Sequence, residues 1–188
     1  MTTAEPGNGR VKDGTRDLVV LGIGNPLLSD DGAGIHALGA IGRAGTLPPG
    51  VRLVDGGTVG LQLLASVAGC DGLMVLDAVN VGGEPGEVVR LDLADGLGAM
   101  KPRTAHDLGL GTLLEDLRLL GQYPGRAVLF GIQAAKVEIG TRLSTAVARE
   151  LPKLVRAALE ELDLWTRESN DPSEAGRGDA NASTEDEK

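Results

Sequence analysis

Three short apolar runs, each closing on glycine or aspartate, are separated by stretches with helical spacing, and this rhythm constrains the fold more than any other feature. The runs at 17–23 (DLVVLGI) and 73–76 (LMVL) are continuously apolar after their first residue, as expected of strands buried on both faces. A third run at 51–54 lies between them and closes on Asp55-Gly56-Gly57, a turn signal. Strand, helix, strand, helix, strand predicts an α/β three-layer sandwich. Its twisted sheet should be mostly parallel, with helices on both faces.

The remaining elements follow from spacing. A helix is predicted from Asp31, with Ile35, Leu38 and Ile41 on one side and Ser29 or Asp30 as its cap. Thr58 should cap a second helix to about residue 67, with Val59, Leu61, Leu63 and Leu64 as its apolar face. A strand at 86–93 follows the third run after a loop too short for a parallel crossover. The expectation is therefore one antiparallel strand, paired with the third as a hairpin. Leu110, Leu113, Leu114 and Leu117 mark a helix over about 107–120, and 127–132 reads as a buried strand. The last helix, 144–164, carries Val147, Leu151, Leu154, Val155, Ala158 and Leu162. Pro152 inside it would kink it or delay its start.

A chain of 188 residues suits one domain. Tyr123, Phe130 and Trp165 are its only aromatics, so the core must be aliphatic. A net charge of −9 argues against nucleic acid and offers no basic patch to an anionic membrane. Residues 166–188 are rich in Ser, Asn, Gly and acids, a composition that cannot bury enough apolar surface to offset its ordering entropy. The expected organisation is a disordered segment at 1–15, a domain at 16–165 and a disordered acidic tail at 166–188. Cys70 is the sole cysteine, which excludes an intrachain disulfide and a thiolate cluster for structural zinc. With neither an apolar signal core nor a stretch long enough to span a bilayer, the expected location is cytoplasmic.

The turn Gly22-Ile23-Gly24-Asn25-Pro26 suggests a nucleotide site at first sight. The dinucleotide fingerprint needs a third glycine where Pro26 and Leu27 stand, and Asp30-Asp31 would repel a pyrophosphate at the following helix. Helix capping is the ordinary explanation for Asp30 and Asp31, as strand-end turns are for Asp55 and Asp77. Their location adds weight, because ligands of open α/β sheets bind outside the carboxyl ends of the strands. His106 lies in Thr104-Ala105-His106-Asp107, which resembles a capping box. A helix-start histidine is disfavoured as a cation and keeps a lone pair for a metal or a proton, although a solvated surface position would look the same. His36, the other histidine, reads as structural or surface. Two carboxylates and an imidazole could hold a divalent metal weakly, with positions open for water or substrate. Paired aspartates could equally hydrolyse a bond by aspartyl-type chemistry. At this point both readings stand.

In order and spacing, the motifs resemble those of the nickel–iron hydrogenase maturation proteases. The segment from Gly22 through Asn25, Pro26 and Asp30-Asp31-Gly32 to Gly34 is similar to the family's first signature, and Asp55-Gly56-Gly57-Thr58-Val59-Gly60-Leu61 to its second. Leu76-Asp77-Ala78-Val79 with Pro85-Gly86 resembles the third, and His106-Asp107-Leu108-Gly109-Leu110 the fourth. Phe130-Gly131-Ile132-Gln133 and Leu143-Ser144 fit the C-terminal pattern, so the resemblance spans about residues 18–162.

The resemblance implies an endopeptidase that trims the C-terminal extension of a hydrogenase large-subunit precursor after nickel insertion. A monomer is the separate expectation. It assigns the catalytic and metal-contacting roles to Asp31, Asp77 and His106. Nickel is then expected to arrive with the substrate rather than to be held tightly. Asp31 stands where some members carry Glu, a change that shortens its reach. Two other readings fit the same scaffold: a peptidase for a different precursor, and a nickel-binding assembly factor without catalysis.

Overall fold

Residues 15–45, 47–58, 62–94, 96 and 105–168 are described by the computed structural model, with the side chains of 62, 105–108 and 168 left aside. Along β1 (Leu18–Ile23), successive side chains enter two different cores. Leu18 and Val20 join Met74, Leu76, Val128, Phe130 and Ile132 beneath α1 (Ala33–Arg43) and α4 (Thr145–Glu168). Val19, Leu21 and Ile23 join Leu73, Val75 and Leu129 beneath α2 (Gln62–Val67) and α3 (Ala105–Leu119). That two-sided burial explains why the strand sequences are continuous apolar runs. The three-layer α/β sandwich is as expected.

The sheet has the order β2-β1-β3-β5-β4. β1 pairs in parallel with β2 (Val51–Gly57) and with β3 (Gly72–Val79), and β3 pairs in parallel with β5 (Arg126–Gln133). β4 (Val88–Asp92) is the antiparallel strand, at the edge. Its partner is β5, which corrects the expected hairpin with β3. All eight residues of β3 register with eight of β5, an almost wholly buried pairing that the half-exposed β4 cannot match. The chain therefore leaves a one-strand gap after β3, turns back along β4, and returns through α3 to fill the gap with β5.

Three other expectations are refined. β3 does not stop at Asp77 but runs to Val79, because β5 extends far enough to pair with Asp77 through Gly131. α2 is described over Gln62–Val67, and residues 59–61, expected to join it to Thr58, lie outside the described residues. α4 runs unbroken through the exposed Pro152. Val147 on one side and Leu154, Ala158, Leu162 and Trp165 on the other are all buried, and this docking outweighs the lost helical hydrogen bond. The Ser144 hydroxyl accepts from the Val147 amide at 3.3 Å and caps the helix. α4 ends at Glu168, and residues 1–14 and 169–188 lie outside the described residues.

Candidate active site

β1 is where the sheet changes direction: the chain moves to β2 on one side and returns to β3 on the other. α1 and α2 lie on opposite faces, which makes the carboxyl ends of β1 and β3 the switch point, the place where open α/β sheets bind ligands. The β1–β3 ladder ends at Gly22 and Leu76, and Asp77 is the next residue of β3. Asp77 therefore sits at the switch point. Its side chain is 2% exposed, and its Oδ1 accepts from the Ala78 amide at 2.7 Å.

Asp31 comes to the same edge from β1. After β1 the chain turns through Gly24 and Asn25 into a 3-10 turn, Ser29–Gly32, that leads directly into α1. Two glycines allow this turn to lie flat on the strand ends. A Cβ on Gly24, whose φ is +126°, would stand 1.9 Å from the Asp31 carbonyl oxygen. One on Gly34 would stand 2.2 Å from the Leu76 carbonyl oxygen and 2.3 Å from that of Ile23. Only glycine lets the backbones approach so closely. The first turn of α1 is thus seated on the Ile23 and Leu76 carbonyls, beside Asp77. Asp31 is buried, and its Oδ2 accepts from the Asn25 amide at 3.0 Å.

The adjacent Asp30 does different work. It does not cap its own helix, nor does Ser29; the 3-10 turn and α1 have no side-chain cap at all. Fully buried, its carboxylate accepts three backbone amides from the segment between β5 and α4: Ala135 at 2.9 Å, Lys136 at 3.1 Å and Ser144 at 2.6 Å. These charge-assisted bonds fix residues 135–144 against the acid-bearing turn. The same contact is reinforced by backbone bonds from Ser29 N–H to the Gly140 carbonyl (2.7 Å) and from Gly140 N–H to the Leu27 carbonyl (2.9 Å). Ser29 takes a φ of +52° there, a strained value for a residue with a side chain.

Gln133, quoted above only as part of a motif, organises the loop after β3. Its Oε1 accepts from the amides of Val81 (2.9 Å) and Gly83 (3.3 Å), and its Nε2 donates to the Ala134 carbonyl at 3.2 Å. A buried glutamine ending an apolar run is the signal that could have given it this role.

Of the expected site residues, Asp31 and Asp77 lie at one edge. His106 is in the first turn of α3, but its side chain is not among those described. Among the described residues no group of three or more His, Cys, Asp or Glu side chains is placed to hold a metal. Asp55, the third strand-end acid, accepts from the Gly57 amide at 2.9 Å and shapes its own turn. His36 lies half-buried in α1. The Thr104 of the expected capping box lies outside the described residues. Cys70 precedes β3 and so stands at the opposite edge of the sheet from the acids. Burial pushes its thiol up to about 12.

A doubly wound α/β domain with two buried carboxylates flanking its switch point belongs among enzymes that act on a ligand at the strand ends. Comparison with known proteins identifies which enzymes these are. Residues 35–161 match the family model described as hydrogenase maturation protease, a span that includes Asp77 and His106 and begins just after Asp31. The chain is 36% identical to the hydrogenase expression/formation protein HupD of Rhodobacter capsulatus over 152 residues, covering 79% of this chain and 72% of that protein. It is 33% identical to the hydrogenase 2 maturation protease of Escherichia coli, covering 81% and 92%. The structure of the hydrogenase maturating endopeptidase HybD from Escherichia coli superposes with a TM-score of 0.74 at 31% identity, over 81% of this chain and 93% of that one. The chain belongs to the hydrogenase maturation protease family and is an endopeptidase, a hydrolase.

Proposed function

We propose that this protein removes the C-terminal extension of a nickel–iron hydrogenase large-subunit precursor after nickel insertion, and that Asp31, Asp77 and His106 carry the reaction. The observation that carries this reading is the pair Asp31 and Asp77 at the switch point, in a chain of this family. His106 joins them by motif, from the first turn of α3.

Nickel enters this scheme as part of the substrate. Two carboxylates and one imidazole are a poor set for keeping nickel, and Cys70, at the far edge of the sheet, cannot add a thiolate. An incomplete set has a use: it binds firmly only when the precursor supplies the metal with its remaining ligands. The substrate's nickel then positions the neighbouring peptide bond beside the carboxylates. Attack requires a water deprotonated by a carboxylate, by His106 or by the metal, and a proton returned to the leaving amine.

The reading further takes 16–165 as the protease domain, working as a monomer in the cytoplasm. No helix among the described residues is long and apolar enough to cross a membrane. The decisive experiment mixes the purified protein with nickel-loaded and nickel-free precursor and weighs the products by mass spectrometry. Loss of the extension from the loaded form alone is expected. Equal processing of both forms would overturn nickel sensing, and no processing of either would overturn the assignment.

A further inference from the structure

Exposed leucines at the end of α3, such as Leu119, are ordinary surface residues. Leu27, Val137 and Ile139 differ in how they are held. They are 62%, 55% and 93% exposed, yet they stand on two segments bound tightly to each other. Leu28 and Gly140 form a parallel bridge, so Leu27 and Ile139 immediately precede paired positions and fall at the same end of it. Asp30 locks the second segment through its three amide bonds, and Asn25 ties the first to Asp31. A fixed loop that keeps a nearly fully exposed isoleucine in place has already met the ordering cost that binding normally exacts.

From this we infer that Leu27, Val137 and Ile139 form the docking surface for an apolar, non-acidic segment of the substrate polypeptide, beside the peptide bond to be cut. The inference rests on the peptidase reading above and deepens it. The occupant follows from continuity and charge. An endopeptidase substrate must bring its chain to Asp31, and Leu27 belongs to the same short turn. Asp30, Asp31 and Asp77 at this edge, in a chain of net charge −9, would repel an acidic segment. Lys136 and Glu138 alternate with the apolar residues and neutralise each other as an ion pair at 2.6 Å, leaving contact to Val137 and Ile139.

The test uses the full-length protein and nickel-loaded precursor carrying its extension. Leu27→Ser, Val137→Ser and Ile139→Ser are made singly and together, with Leu119→Ser as the control on a remote exposed leucine. The triple variant should raise KM about tenfold with kcat retained, as for loss of an apolar anchor cluster. The control should leave both constants unchanged. Direct binding of precursor to an Asp77→Asn protein, with and without the triple change, reads docking independently of cleavage and should weaken by the same factor. A KM and affinity within twofold of the parent protein overturn the inference, as does an affinity that collapses in high salt, the mark of charge rather than apolar contact. Precursor that binds through these residues but is never shortened would instead sink the peptidase reading and leave the docking surface standing.

Discussion

The Ser144 amide donates to the Asp30 carboxylate at 2.6 Å across 114 residues of sequence, joining the start of α4 to the turn that carries Asp31. This bond, with those from Ala135 and Lys136, makes the two neighbouring aspartates unlike. Asp30 holds amides of a distant segment of this chain, whereas Asp31 accepts from the Asn25 amide of its own turn at the switch point.

Asp30→Ala should therefore damage the fold more than Asp31→Ala. It strips a buried acceptor from three amides, a loss of about 3 kcal/mol or more. Urea unfolding of the two variants checks this. Equal midpoints for them would show that the clasp contributes nothing.

The acids of the proposed site carry a different expectation. Asp31→Ala, Asp77→Ala and His106→Ala should each abolish removal of the extension while leaving the far-ultraviolet dichroism unchanged. Normal processing by all three would falsify the site assignment.

Two glycines of the same helix predict opposite outcomes. Gly34→Ala sets a methyl 2.2 Å from the Leu76 carbonyl and must lift α1 off the strand ends, at a cost of about 1–3 kcal/mol or more, with loss of activity. Gly39→Ala meets only the end of Arg43 at 3.4 Å and should raise stability by up to about 1 kcal/mol through helix propensity. Thermal melts of both variants read the contrast.

The pair between β4 and α4 gives a pH prediction. Arg90 donates to Glu161 at 2.7 Å and 3.2 Å, and Trp165 Nε1 donates to it at 3.0 Å. Chiefly through the Arg90 hydrogen bond, Glu161 is held below its ordinary value of 4.5. A lowered carboxylate pKa contributes stability that is complete above the unfolded value and is lost as pH falls through the folded one. Glu161→Gln should lower the urea midpoint at pH 7, and the difference from the parent should close as the pH drops below the ordinary glutamate range. A difference that stays constant with pH would assign the effect to packing.

Much of this protein was legible in its pattern. The apolar runs defined β1, β3 and β5, and leucine spacing gave α3, with Leu110, Leu113, Leu114 and Leu117 all buried as expected. The motifs gave the family. The partner of β4 was not legible, because a short loop fixes strand direction but not which neighbour a strand will take. The division between Asp30 and Asp31 was equally hidden, since both look like helix-start acids until a segment more than 100 residues later supplies its amides.

The sequence by itself determined the α/β class, the buried strands and the residue types available for chemistry, because these depend on local periodicity and side-chain identity. Only the tertiary structure decided that β5 inserts beside β3, that Asp31 and Asp77 share the switch-point edge, and that Asp30 is a clasp. Those outcomes depend on contacts between distant segments, where the fit of one backbone against another selects among arrangements that local sequence leaves equivalent.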